Sequence, residues 1–194
     1  MKTTLARSAP LRGGFLAALG MTLLASCSFF SRSQSRYYSL DSIAPAQAVA
    51  AKQGAPMAID AIELPPGFDR REVVVMKADH QLDIRSTQQW SANLSELVLH
   101  TLAFDLAKRL PEGMIVLPGE PRPAAAIRSI DVAFEQLAAG PEAKVVLDAR
   151  WTLGLGASHH ERIEIDIKSL DSAEVATGMS QAIAALADSI AAQM

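Results

Sequence analysis

Residues 145–155, VVLDARWTLGL, decide the fold class. Val145, Leu147, Ala149, Trp151, Leu153 and Leu155 alternate with Asp148, Arg150 and Thr152. A period of two sends successive side chains to opposite sides of a strand, so one set forms a dry face and the other meets water. The same alternation flanks this stretch on both sides. Ile130, Val132 and Phe134 interleave with Ser129, Asp131 and Glu135, and Ile163, Ile165 and Ile167 with Glu164, Asp166 and Lys168. Gly140-Pro141 and the segment from Gly156 to His160 separate the three runs, which predicts an antiparallel meander with one dry face.

That face needs a cover. Met179, Ile183, Leu186 and Ile190 recur at helical spacing in an Ala-rich C-terminal segment that allows close packing. Asn93–Leu110 predicts a second helix: Leu94, Val98, Leu102, Leu106 and Leu110 make a row at spacing four, broadened by Leu97. Asn93 with Glu96 resembles a capping pair, Lys108 and Arg109 complement the negative helix end, and Pro111 closes it.

Shorter strands precede this helix at Arg36–Leu40, Met57–Leu64 (with a register change near Ala61), Glu72–Lys77 and Gln81–Arg85. The last two form a hairpin around Asp79-His80, and Met114–Leu117 adds a short strand after the helix. Asp41–Pro56 lacks periodicity and predicts a loop, and Leu64-Pro65-Pro66-Gly67-Phe68-Asp69 breaks the strand before it. Two helices on a mainly antiparallel sheet give a single two-layer α+β domain. No internal repeat is visible.

The N-terminus follows a secretory order. Lys2, Arg7 and Arg12 precede an uncharged, mainly apolar run from Gly13 to Ser26 that is short for a bilayer span. The run ends in Leu24-Ala25-Ser26-Cys27, which resembles a lipobox. Cleavage between Ser26 and Cys27 would free a cysteine to carry diacylglycerol and an N-acyl chain. Each buried methylene contributes about 0.8 kcal/mol, and stable anchoring takes two or more chains. The alternative is an ordinary secretory signal with an incidental cysteine. Cys27 is the sole cysteine, so no internal disulfide competes for it.

The expected organisation is a signal peptide at 1–26, a lipidated tether at 27–36 and one domain at 37–194. Phe29 and Phe30 either sit at the lipid interface or are incidental. Loss of the leader leaves 168 of the 194 residues and takes the net charge from −3 to −6. An acidic body argues against nucleic acid and against electrostatic docking on anionic lipid.

The motifs of common enzymes are missing. There is no Walker A sequence and no G-x-S-x-G elbow, and Gly154-Leu155-Gly156 lacks what a dinucleotide site needs. With no cysteine beyond Cys27, Cys-based metal sites and nucleophiles are excluded. His159-His160-Glu161 clusters possible metal ligands, but adjacent residues of an extended segment point apart, which favours a solvated turn. Asp69-Arg70-Arg71 is either a ligand-binding group or a turn held by a surface ion pair. Trp90 and Trp151 are expected to be packing residues. No catalytic residue, metal or cofactor is expected beyond the lipid on Cys27.

The order of short motifs carries a resemblance. The lipobox is followed by Tyr37-Tyr38-Ser39-Leu40, a strand ending in Leu64-Pro65, Phe68-Asp69-Arg70, the Glu72–Val75 strand and Gln89-Trp90 before the long helix. The Ile130–Glu135 strand and Val145–Trp151 come later. In this order the chain resembles the ABC-type transport auxiliary lipoproteins, the family of the paraquat-inducible lipoprotein. It departs where the aromatic-leucine usual before the Asp-Arg pair is replaced by Gly67-Phe68, and in a C-terminal helix poor in markers.

The resemblance implies a non-enzymatic accessory working beside an MCE-domain protein and the permease and ATPase of an ABC transporter that moves lipids or other hydrophobic molecules. It would sit on the periplasmic face of the outer membrane, as a ring-like homo-oligomer receiving the end of an MCE assembly. Ser28 after the cysteine, rather than Asp, points the same way. The turn bearing Pro65, Phe68, Asp69 and Arg70 is the expected partner-facing or subunit-facing loop. Two rivals remain open at the level of sequence: a structural or assembly lipoprotein supporting an outer-membrane protein without touching cargo, and a periplasmic hydrolase.

Overall fold

The computed structural model describes residues 34–45, 54–122 and 127–194. The leader, Ser26, Cys27, Phe29 and Phe30 lie outside the described residues, as does the central part of the Asp41–Pro56 loop.

The three alternating runs form the expected meander: β6 (Arg128–Gly140), β7 (Lys144–Leu153) and β8 (His159–Asp166), each antiparallel to the next. Val145, Leu147, Ala149, Trp151 and Leu153 are buried on one face of β7. Leu155, expected on that face, instead lies past the strand end and is fully exposed. Gly154 turns the chain there at φ 59°, a backbone angle that favours glycine.

β6 also runs further than its alternation suggested. Glu135 is an extra residue opposite β7, between the Phe134–Ala149 and Gln136–Asp148 pairs. The bulge resets the face, so Ile130, Val132 and Phe134 hand the core over to Leu137 and Ala139.

The remaining strands attach to the other edge of β6. β2 (Met57–Glu63) runs parallel to its first half and β3 (Glu72–Met76) touches its end through Val75 and Ala139. The two strands therefore follow each other along one edge, with Leu64–Arg71 looping between them. The register change expected near Ala61 falls between Ile59 and Ala61.

β4 (Leu82–Trp90) pairs antiparallel with β3 through the tight turn at Asp79 and His80, both at positive φ. β1 (Arg36–Tyr38) lies parallel to the last residues of β4, and β5 (Ile115–Val116) lies parallel beside the first residues of β2. The two longest junctions, β6 with β7 and β7 with β8, are antiparallel, giving an eight-stranded, mostly antiparallel sheet.

Two helices cover the dry face. α1 (Leu94–Ala107) packs on β2 and β5, α2 (Ser172–Ala192) on β7 and β8, and the helices pack on each other. Leu94, Val98, Leu102 and Leu106 of α1 and Met179, Ile183, Leu186 and Ile190 of α2 are almost completely buried. α2 is long and apolar enough to cross a membrane, yet most of it is enclosed by the sheet and α1, as in the core helix of a globular domain.

Gly178 lets α2 approach the sheet closely. A Cβ there would stand 2.6 Å from Ile167 Cγ2 and 2.8 Å from Val145 Cγ2.

The start of α1 corrects one expectation. Asn93 occupies the N-cap position but makes no side-chain capping bond. The Ser95 amide donates instead to Asp69 Oδ1 at 3.1 Å, so the cap comes from the Leu64–Arg71 loop, 26 residues earlier.

Candidate functional site

Three groups of polar residues stand out among the described residues. The first is the Leu64–Arg71 loop. The Phe68 amide donates to the Pro65 carbonyl at 3.1 Å and Gly67 takes φ 87°, closing a tight turn. Asp69 caps α1, Arg70 Nε pairs with Glu72 Oε2 at 3.2 Å, and the Trp90 amide donates to the Arg71 carbonyl. Pro65, Phe68 and Arg70 are half-buried, while Asp69 is exposed. The loop thus splices β3, the end of β4 and the start of α1 together, and this structural task accounts for Asp69 and the backbone of Arg71.

The second group is buried, and sequence reasoning missed it. Arg109 was expected to complement the negative end of the helix, and it is buried, 4 % exposed. Its guanidinium donates to Asp188 Oδ1 at 2.7 Å, to the carbonyls of Ile43 and Asp105 at 2.9 Å each, and to the carbonyl of Ala184 at 3.0 Å. One turn earlier, Asp105 is fully buried and its Oδ1 accepts from the Ser42 hydroxyl at 2.8 Å and the Ile43 amide at 2.6 Å.

Lys108 Nζ donates to the Ser42 carbonyl, and the Asp41 amide to Ser180 Oγ. The cluster ties Asp41–Ile43 to both helices. Burial pushes the Asp105 carboxyl up, against the lowering effect of its bonds to Ser42 and Ile43 and of the Arg109 charge, and its Oδ2 has no partner among the described residues. The sequence held one signal: Asp105 and Arg109 stand four apart beside the apolar row Val98, Leu102 and Leu106.

The third group is a ladder of charges on the outer face of the meander. Arg150 Nε lies 2.5 Å from Glu135 Oε1, and Asp148 accepts from His160 Nε2 at 2.6 Å and from Arg162 at 2.9 Å. Arg162 and Lys144 both reach Glu164. The bonds from His160 and then Arg162 hold the Asp148 carboxyl below its ordinary range.

His159-His160-Glu161 therefore belongs to a strand and not to the expected turn, and the separation of the two imidazoles follows from strand geometry. His159 stacks on Trp151 with ring centroids 4.2 Å apart, while His160 faces Asp148 on the other side of the sheet.

Glu135, Asp148 and His160 do bring ligand atoms within 4.8 Å of one another. Arg150 and Arg162 already occupy the two carboxylates, and a cation would have to displace them. His160 and Asp148 also form the base-and-orienter half of a nucleophilic site, but no hydroxyl hydrogen-bonds to His160 among the described residues. A hollow of about 210 Å³ lies beside the ladder, lined by Glu63, Asp131, Arg150, Thr152 and Ser158 together with apolar residues that include Val132 and Trp151. It is open and below the usual size of a ligand pocket. Trp90 and Trp151 are buried packing residues, as expected.

The description of one protein family, the ABC-type transport auxiliary lipoprotein component, fits residues 38–191. Two solved structures are similar in fold. One is an uncharacterised protein, 18 % identical with a TM-score of 0.68, over 82 % of this chain and 98 % of its own. The other is a protein from Xanthomonas campestris of the family called DUF330, 13 % identical with a TM-score of 0.62, over 82 % of this chain and 94 % of its own. At such identities they establish the fold alone. No curated protein matches the chain.

Proposed function

We propose, on the premise that this chain belongs to the ABC-type transport auxiliary lipoprotein family, that it is a lipid-anchored accessory which docks an MCE-containing ABC transport assembly at the periplasmic face of the outer membrane. The cargo is a lipid or another hydrophobic molecule, and the chain acts without catalysis. The observation that carries this reading is the position of the family match: it spans residues 38–191 and begins shortly after Leu24-Ala25-Ser26-Cys27. Cys27 would carry the diacylglyceryl and N-acyl groups after cleavage behind Ser26. The polar groups of the domain support the non-enzymatic part, because their carboxylates and cations neutralise one another.

Within this role the turn around Pro65, Phe68, Asp69 and Arg70 is the partner-facing element. Pro66 and Gly67 are exposed beside Phe68, and the cap that Asp69 places on α1 holds the turn rigid. Pull-down from gently solubilised membranes tests the role. An MCE-domain protein, a permease and an ATPase should co-purify with the lipidated chain, and Phe68→Ala with Arg70→Ala should weaken their recovery. Recovery of an outer-membrane protein alone would favour a structural lipoprotein instead. Cys27→Ala should release a folded protein from the membrane, and retention of that variant after a high-salt wash would end the anchor claim.

A further inference from the structure

Five large apolar side chains are exposed among the described residues, and three of them, Tyr37, Leu82 and Ile84, lie on β1 and β4. Pairing places the three on one face. Val73 and Val75 belong to the core beneath the helices, and they align with Arg85 and Asp83. Ile84 and Leu82 align with Val74 and Met76, the alternate residues, and so point away from the helices.

Tyr38 packs on the core beside Trp90, so Tyr37 also points outward. Val74, buried on that outer face, and half-buried Met76 carry the apolar surface inward. The Leu64–Arg71 loop adjoins it, since a Cβ at Gly67 would stand 3.8 Å from Leu82 Cδ1.

We infer that this outer face of β1 and β4 rests on the lipid surface to which the chain is anchored. The inference rests on the anchoring proposed above for Cys27. Cys27 precedes Arg36 by nine residues, and nine extended residues reach at most about 30 Å. β1 is thus the described element that connectivity holds nearest the bilayer, and it carries Tyr37, the first of the three outward-facing apolar residues. A tyrosine suits the headgroup level, with its ring against acyl chains and its hydroxyl wet.

The contact needs little affinity of its own. A covalent anchor makes the second contact intramolecular, so a few side chains suffice to orient the domain. The acidic charge of the chain offers no broad attraction to anionic lipid, so the contact is apolar and insensitive to salt.

Site-specific labelling of the lipidated full-length protein tests this. Cys27 is the sole cysteine, so once its thiol carries lipid an introduced cysteine is the only free one. Tyr37→Cys, Leu82→Cys and Ile84→Cys would each carry an environment-sensitive fluorophore, with Phe104→Cys and Leu155→Cys as exposed apolar controls elsewhere. The vesicles are phosphatidylethanolamine and phosphatidylglycerol with brominated acyl chains.

The expected result is loss of most fluorescence at 37, 82 and 84, little loss at 104 and 155, and no change in high salt. Vesicle-bound protein without quenching at the three positions would overturn the inference and leave the anchor standing. Burial of the label by self-association, seen as label self-quenching without bromine quenching, would overturn it in favour of a second copy on this face. Protein that fails to float with the vesicles would overturn both.

Discussion

Arg109→Met is the most incisive perturbation of this domain. The change keeps much of the apolar stem and removes the guanidinium fork that bonds Asp188, Ile43, Asp105 and Ala184. The carbonyls of Asp105 and Ala184 lose a donor in a buried setting, and the Asp105 carboxylate loses the cation 3.9 Å away. Breaking a buried pair by removing one partner costs roughly 3–5 kcal/mol, chiefly from the charge left behind. Asp188 is half-exposed and recovers water, which argues for the lower part of that range, about 3 kcal/mol. At about 2–4 °C per kcal/mol for a domain of this size, the melting temperature should fall by roughly 10 °C.

The measurement is urea denaturation, with amide hydrogen exchange to localise the loss. Protection should fall first at the Asp41 and Ile43 amides, which donate to Ser180 Oγ and Asp105 Oδ1, and last in β6 and β7. Arg109→Lys should lose less, since it keeps the charge without the fork. Adding Asp105→Asn to Arg109→Met should recover part of the loss, because the stranded charge is gone; a coupling of about 1–3 kcal/mol is expected. A loss below about 1 kcal/mol for Arg109→Met, or no coupling to Asp105, would refute the assignment of this cluster as the tie between the N-terminal segment and the helices.

Other changes test separate parts of the structure. Gly178→Ala should destabilise by about 1–3 kcal/mol although alanine is the better helix former by about 1 kcal/mol, because its Cβ meets two β-branched side chains, Val145 on β7 and Ile167 just past the end of β8; a melting temperature equal to or above the parent's would reject the close approach. Asp69→Ala should cost about 1 kcal/mol by uncapping α1, whereas Asn93→Ala should cost less, and the reverse order in urea titrations would reject the assigned cap.

The Asp105 carboxyl is raised in the fold, so its contribution is complete below the ordinary value of 3.8 and fades as pH rises through the raised value. Asp105→Asn should therefore gain stability relative to the parent as pH rises above 3.8, and a difference that stayed constant as pH rose from there would contradict a desolvated carboxylate. Asp148 is lowered, so its contribution holds above 3.8 and is lost as pH falls through its depressed value; His160→Ala should make that acid-side loss smaller.

Alternation made the meander legible because a strand writes its two faces into neighbouring residues. Val145–Leu153 needed no partner to be read, and the row from Leu94 to Leu106 likewise identified α1. The reading failed where the next residue broke the rule. Glu135 is a bulge that no local composition marks, so the second half of β6 carried its core residues on unexpected positions. Leu155 kept the period of the strand while Gly154 had already turned the chain. Of the residues singled out for function, Pro65, Phe68, Asp69 and Arg70 do lie in one turn, because they are contiguous. The capping task of Asp69 was hidden because its acceptor-seeking amide belongs to Ser95.

The sequence by itself determined the layers: three alternating runs that make a meander with a dry face, two apolar helices that cover it, and the absence of familiar catalytic motifs. Those properties depend on residues a few positions apart, and periodicity records them. Only the tertiary structure decided that β2 and β3 share one edge of β6, that β1 runs parallel to β4, and that Arg109 is buried against Ile43 and Ala184. It also brought Tyr37, Leu82 and Ile84 to one outer face. The physical reason is common to all of these. Each joins groups separated by tens of residues, and the free energy that selects the pairing comes from burial and hydrogen bonds that exist only once the remote segments have met.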